Sequence, residues 1–269
     1  MAALSPLLNV MIAASRKAAR ALVRDFGEVE NLQVSVKGPG DFVSTADQKA
    51  EKTLFQELSR ARPAFGFLME EGGEVAGSDP DHRWIIDPLD GTTNFLHGIP
   101  QFAISIALER AGQIVAGVVH NPITDDLYYA EKGGGTFLIT PYNERRLRVS
   151  ARSRLDQALI GTGIPYLNRG DHPRFLAQMA AVMNHVAGIR RMGAASLDLA
   201  YVAAGRFDAY WEEGLKPWDM AAGILLVQEA GGVCLDTQGG PDPMANGNPL
   251  AINRKLEGPI LRLLRGATA

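Results

Sequence analysis

The chain has 269 residues, 46% hydrophobic and 21% charged, with a formal net charge of −3. This composition is that of a globular chain, not a disordered one, and the charge argues against autonomous nucleic-acid binding, which leaves a basic footprint. A lone cysteine, Cys234, excludes an internal disulfide and points to a reducing compartment. From the N-terminus, Leu7, Leu8, Met11, Ala14, Ala18 and Leu22 recur at helical spacing and predict an amphipathic helix. Arg16, Lys17, Arg20 and Arg24 interrupt it, so no apolar run is long enough for a bilayer. These cations follow the apolar part, the reverse of a secretory leader. A cytoplasmic protein without membrane association is the expectation.

Next, "KGPGDF" reads as a loop and "STADQKAEKTLFQELSRARP" as a second helix, with Ser44 as its cap, Asp47 three residues on, and Pro63 as its stop. "FGFLM" and "WIID" read as buried strands. The stretch from Phe102 to Ile139 reads as an antiparallel meander, turning at Ala111-Gly112 and again after Asn121-Pro122. Arg146, Leu147, Arg148 and Val149 alternate as a half-exposed strand does, within a basic run, Arg145 to Arg154, read as a solvated face. Beyond about residue 150, strands alternate with helices: "LIGTG", then helices "RFLAQMAAVMNHVAG" and "SLDLAYVAAG", strand "FDAYWE", helix "MAAGILLVQEAGG", and strands "VCLD" and "PLAIN". The first part is α+β and the second α/β. No composition break separates them, so a single domain over 1–269 is expected, with lobes of about 1–150 and 151–269.

Several carboxylates gather at the ends of apolar segments. Glu70 and Glu71 follow "FGFLM", Asp87 and Asp90 end the strand in "WIIDPLDGTTNF", and Asp219 opens an apolar helix. Asp47 shares a helical face with Ala50 and Leu54, so it points toward packed structure. Singly, each has an ordinary explanation as a cap or turn residue. Clustered, they would repel one another unless a cation sat among them. The histidines show no HxxxH-type pair and there is no second cysteine, so oxygen ligands suit Mg²⁺, Ca²⁺ or Mn²⁺ rather than zinc or copper. The Gly91-Thr92 turn that follows offers backbone N–H groups and a hydroxyl at a predicted helix start, a fit for phosphate. Phosphate monoester hydrolysis requires accelerations reaching roughly 10²¹-fold. General acid–base catalysis contributes only about 10²–10⁴-fold, which favours metal chemistry. "KGGG" lacks the P-loop spacing and reads as a strand connection.

"WIIDPLDGTTNF" and "KPWDMAAGILLVQEAGG" strongly resemble the two signature motifs of the inositol monophosphatase family, and "DFVSTADQKAE" and "FLMEEGG" match the same pattern in order and spacing. The likeness runs over nearly the whole chain; Met69 departs from it, standing where the family commonly has glycine. The resemblance implies a layered α/β/α/β/α sugar-phosphatase fold, usually a homodimer, with Mg²⁺-dependent, lithium-sensitive phosphatase activity. By position, Glu70, Asp87, the Leu89 carbonyl, Asp90 and Asp219 resemble the metal ligands. Glu70 and Thr92 resemble the groups that orient the attacking water, with Asp47 supporting Thr92, and the Gly91 and Thr92 amides those that hold phosphate. Gly193, Ala194 and Ala195 of "GAAS" and Glu212 resemble the inositol-ring contacts, and Asp219 counts among the substrate contacts too.

The expected function is hydrolysis of myo-inositol 1-phosphate, or a related inositol or sugar phosphate, by metal-activated water. Histidinol phosphate, fructose 1,6-bisphosphate and nucleotide 3′-phosphates remain alternative substrates, because a shared metal site does not separate them. A haloacid-dehalogenase-type phosphatase fits poorly, since its two aspartates stand two apart rather than three. A regulatory role toward RNA or a transcription complex stays open but is not indicated.

Overall fold

The structure, a computed structural model, describes residues 4–28, 34–38, 41–166 and 170–267, with backbone alone for 34–38 and 41–44. Helix α1 (Pro6–Phe26) starts where Ser5 accepts the Leu8 N–H at 3.1 Å and Pro6 takes the first turn. It is followed by the hairpin β1 (Val34–Gly38) and β2 (Asp41–Ser44), then α2 (Thr45–Ala61). Next come β3 (Phe65–Met69), β4 (Gly73–Val75), β5 (Asp79–Asp90) and the short helix α3 (Thr92–Leu96). A meander follows: β6 (Ala103–Arg110), β7 (Gln113–Asn121), β8 (Asp126–Glu131), β9 (Gly135–Ile139) and β10 (Glu144–Arg146). The later part holds β11 (Leu159–Thr162), α4 (His172–Met183), β12 (Gly188–Arg190), α5 (Ala195–Ala203), β13 (Ala209–Trp211) and α6 (Pro217–Glu229). It closes with β14 (Val233–Asp236), α7 (Pro243–Asn246), β15 (Pro249–Ile252) and α8 (Glu257–Gly266).

Side-chain alternation along the strands builds the layers. The eight-stranded sheet runs β10-β9-β8-β7-β6-β5-β3-β4. Its Trp84, Ile86, Ile104 and Ile106 pack on one face against Met11, Leu22, Leu54 and Leu58 of α1 and α2. On the opposite face Ile85, Ala103, Ala107 and Val119 meet Leu197, Leu199, Met220 and Leu226 of α5 and α6. The five-stranded sheet, β12-β11-β13-β15-β14, covers the other side of α5 and α6 through Tyr210, Cys234 and Ala251. Its far face, with Ile160, Trp211 and Leu250, is covered by α4 and α8 through Phe175, Val182, Ile260 and Leu264. The result is the expected five-layer α/β/α/β/α arrangement. Helix α6 is buried without interruption from Met220 to Val227, as a helix sandwiched between two sheets must be. Among the described residues, no helix is long and apolar enough to cross a membrane.

Several local expectations need correction. "KGPGDF" is not one loop: Lys37 and Gly38 end β1, Asp41 and Phe42 begin β2, and Gly38 pairs with Asp41. The Ser44 cap lies outside the described side chains. The helix expected to reach Gly188 ends at Met183, because Asn184 turns its side chain back onto the Ala180 carbonyl at 3.0 Å. Gly188 then starts a strand parallel to β11. The strand expected through Val149 ends at Arg146: the Val149 N–H goes to the Ala230 carbonyl just past α6, at 3.1 Å, rather than to a neighbouring strand. The alternation was nonetheless a true burial signal, since Leu147 is buried between exposed Arg146 and Arg148. "KGGG" is a strand connection between β8 and β9. The Gly133 and Gly135 N–H groups each donate to the Glu229 carboxylate at 2.8 Å, so this anion-binding turn is occupied from within.

Candidate active site

The site begins with a bulge. In a regular strand, residues three apart face opposite sides of the sheet. Asp87 lies opposite Ser105 and Asp90 opposite Ala103, so β5 holds one residue more than β6 across this interval. Pro88, which has no N–H for the ladder, sits inside the irregular stretch, where it is tolerated. Leu89 consequently packs with Trp84 and Ile86 rather than with Ile85, and the two aspartates reach the same cavity. Asp87 is almost fully buried and accepts the Leu89 N–H at 2.9 Å.

The chain then turns at Gly91, whose φ of 92° is the left-handed region open to glycine. A Cβ there would also stand 3.0 Å from the Gln101 carbonyl and 3.2 Å from the Gly193 carbonyl. Thr92 opens α3, where first-turn N–H groups have no partner inside the helix. Its hydroxyl lies 3.1 Å from Asp47 Oδ1 and 3.0 Å from the Leu89 carbonyl, with one proton for two acceptors. Asp47 is fully buried behind it on α2.

Asp219 arrives from the C-terminal part. Ser105, the register partner of Asp87, donates to the Trp218 carbonyl at 3.1 Å and so fixes the first turn of α6 beside β5. Asp219 accepts the Lys216 N–H at 2.7 Å, so it does serve the helix start, as its position in sequence suggested. It also faces the other acids: Asp87, Asp90 and Asp219 bring ligand oxygens within 4.8 Å of one another. Glu70, just past β3, lines the same cavity, and its charge acts on Asp87.

Asp90 is held by a helix start. Ala195 and Ser196 N–H groups of α5 donate to its two oxygens at 3.2 and 2.7 Å, and the Ser196 hydroxyl adds a third bond at 2.5 Å. "GAAS" thus reaches the site partly through Asp90. Gly193 and Ala195 line the cavity, whereas Ala194 is buried at the cap of α5 and does not. Asn94 ties α3 to this segment by donating to the Met192 carbonyl at 2.9 Å. The two glutamates of "YWEEG" part company. Glu212 lines the cavity, while Glu213 turns to Arg174 and Gln178, both at 3.1 Å.

The cavity has a volume of about 360 Å³ and also exposes Thr93, Gly163, Tyr166, Arg191 and Leu215, none singled out from sequence. Their membership follows from tertiary approach, and no local pattern marks them. Its electrostatics are those of crowded anions. Burial, then the charges of Glu70, Asp90 and Asp219, push Asp87 well above the ordinary carboxylate range. Burial raises Asp90 to about 6 against the pull of the Ser196 and Ala195 donors. Burial, with Asp90 next, drives Asp219 well up, and burial raises Glu212 to about 7. Asp198 of α5, buried and with no hydrogen-bond partner for either oxygen, is pushed well up by burial and then by Glu212 and Asp90. Carboxylates this close, all oxygen donors, fit a hard divalent cation.

The profile of the inositol monophosphatase family matches residues 3–269. The chain belongs to the inositol monophosphatase family. It is 62% identical over 252 residues to the inositol-1-monophosphatase of Rhizobium meliloti, covering 94% of this chain and 93% of that one. It is 59% identical over 261 residues to the enzyme of the same name from Mesorhizobium japonicum, covering 97% of each. Among solved structures, the extragenic suppressor protein suhB of Bartonella henselae superposes with a TM-score of 0.93 at 58% identity, over 97% of this chain and 98% of that one. As a member of this metal-dependent phosphatase family, the protein is a phosphoric monoester hydrolase, and its acidic cluster is of the kind that holds a metal.

Proposed function

We propose that this phosphatase hydrolyses myo-inositol 1-phosphate, or a closely related polyol monophosphate, with Mg²⁺ as its metal. The observation that carries this reading is the meeting, in one cavity, of three clustered aspartates, a turn of free-ended helix amides and the acceptor Glu212. The two rhizobial relatives named inositol-1-monophosphatase support the substrate class. Glu70, Asp87, the Leu89 carbonyl, Asp90 and Asp219 would hold the metal. When bound, divalent cations offset the negative charge developing on the phosphoryl group and favour ionisation of water.

The chain's own groups do the rest. Thr92, donating its proton to Asp47, keeps oxygen lone pairs for a water hydrogen, and Glu70 accepts the other, so the pair orients that water toward phosphorus. The Gly91 and Thr92 amides bind the phosphate oxygens and strengthen as negative charge grows on them. Glu212 receives hydroxyls of the leaving polyol, beside Gly193 and Ala195, and Asp219, which would also hold the metal, lines the same cavity. Attack by water leaves no phosphate on the protein: acid quenching during turnover of labelled substrate should recover none covalently bound. Phosphate trapped on Asp87 would overturn this mechanism.

Released phosphate, measured with Mg²⁺ across myo-inositol 1-phosphate, histidinol phosphate, fructose 1,6-bisphosphate and a nucleotide 3′-phosphate, tests the substrate. The highest kcat/KM on any but the first would replace the reading. We also infer a cytoplasmic, lithium-sensitive homodimer whose two lobes form one domain, the shared core of α5 and α6 supporting the last point. A nucleic-acid role finds little support in the basic run. Arg146 lies over the Phe137 ring, and Arg152 and Arg154 pair with Asp208 and Asp156.

A further inference from the structure

Glu212 is placed by two neighbours. Tyr210, two residues earlier on β13 and fully buried, donates its hydroxyl to Glu212 Oε2. From the other side Gly163, just past β11, leaves the room in which the carboxylate sits. A Cβ built on Gly163 would stand 1.8 Å from Glu212 Cδ and 2.1 Å from each carboxylate oxygen. The conflict there is one of space, not of backbone conformation, and the group that would have to move is the Glu212 carboxylate itself.

We propose that Tyr210 and Gly163 are positioning residues for substrate selection, together holding Glu212 as a hydrogen-bond acceptor for the hydroxyls of the leaving alcohol. The inference rests on the assignment of Glu212 to the polyol made above. Burial and the charges of Glu212 and Asp198 keep the Tyr210 phenol protonated, so it remains a donor throughout the working range. With one oxygen engaged by Tyr210 and both confined against Gly163, Glu212 presents its remaining lone pairs to the cavity. Such a group favours alcohols with free hydroxyls beside the ester. It disfavours a leaving group with no donor, and one that carries a second phosphate, whose charge it would repel.

The test compares kcat and KM for myo-inositol 1-phosphate and 4-nitrophenyl phosphate, at saturating Mg²⁺, in the full chain and in Tyr210→Phe, Gly163→Ala, Glu212→Gln and the Tyr210→Phe/Glu212→Gln pair. Tyr210→Phe should raise KM for the inositol ester about tenfold, equivalent to about 1.4 kcal/mol, and lower the inositol-to-aryl ratio of kcat/KM by a similar factor. Gly163→Ala should lower the same ratio from the opposite side, so the proposal stays testable even if one variant folds poorly. The double variant should be no worse than Glu212→Gln alone, because Tyr210 acts through Glu212. Unchanged ratios in both single positioning variants, or losses that multiply in the pair, would overturn the proposal. Should Glu212→Gln itself leave the ratio unchanged, the polyol assignment of Glu212 fails as well. Should it alone lower the ratio, only the positioning fails.

Discussion

Asp219 does two jobs with one carboxylate, and they separate by mutation. Asp219→Asn retains an oxygen for the Lys216 N–H but removes a charge from the cluster with Asp87 and Asp90. Activity should be lost, and the Mg²⁺-induced rise in melting temperature should shrink, while metal-free stability is unchanged or slightly raised by relieved repulsion. An active variant with the full metal response would reduce Asp219 to a helix-start residue. Ser196→Ala tests the hold on Asp90. It deletes one of three donors, so Asp90 should titrate above its present value near 6. Apparent Mg²⁺ affinity should fall roughly tenfold, the size expected for a lost hydrogen bond to a charged group, as read by titration calorimetry; unaltered affinity would mean the two amides suffice. The carboxylates were legible in sequence because acids after apolar runs are conspicuous. Arg191, Gly163 and Tyr210 were not, nor was the bond of Ser196, the last residue of "GAAS", to Asp90, because their importance lies in what approaches them through space.

Elements were legible in proportion to their length and apolar periodicity. Helices α1 and α2, the meander and the strands around the acids follow from patterns of 3.6 and 2, whereas α5 and α6, apolar nearly all round, follow from unbroken apolar runs. Short elements did not announce themselves. All three residues of the edge strand β4 are exposed, β12 is half-exposed, and neither carries an alternating apolar face. Helix α8 also carries the signal, its buried Ile260, Leu261 and Leu264 standing at helical spacing, but in a segment only ten residues long. The two glycines that flank α3 offer a comparison. Gly91 and Gly98 both have positive φ, 92° and 68°, but only Gly91 is crowded, Gly98 having nothing within 4 Å of an added Cβ. Gly98→Ala should cost about 1–2 kcal/mol, the ordinary strain of a left-handed alanine, and retain activity. Gly91→Ala should cost more and abolish activity by shifting Thr92 and Asp90. Denaturant titration and phosphate release on both variants would expose any equivalence between them.

For the molecule as a whole, the crowded acids predict an unusual pH response. Asp87, Asp90 and Asp219 all have folded-state pKa values above their unfolded ones, so the folded chain binds more protons. Their contribution to metal-free stability is complete below the unfolded carboxylate range and is lost as pH rises through the folded values, about 6 for Asp90. In EDTA the melting temperature should therefore fall as pH rises through about 6, over and above other titrations. Mg²⁺ at about 100 times its dissociation constant should restore roughly 2.7 kcal/mol, a shift of about 5–10 °C for a chain of this size. A metal response independent of pH would argue against these acids as the metal site.

The buried middle layer has a consequence for how the protein is made. Strands β5 to β9 present Ile85, Ala107, Val119, Tyr128 and Leu138 toward α5 and α6, which lie between Ala195 and Glu229. During synthesis at about 5–20 residues per second, that greasy wall emerges several seconds before the helices that cover it. The nascent chain is therefore left, for that interval, with a half-clad sheet. Ribosome-bound chains stopped near residue 150 should recruit chaperones, and chains extended past Glu229 should release them.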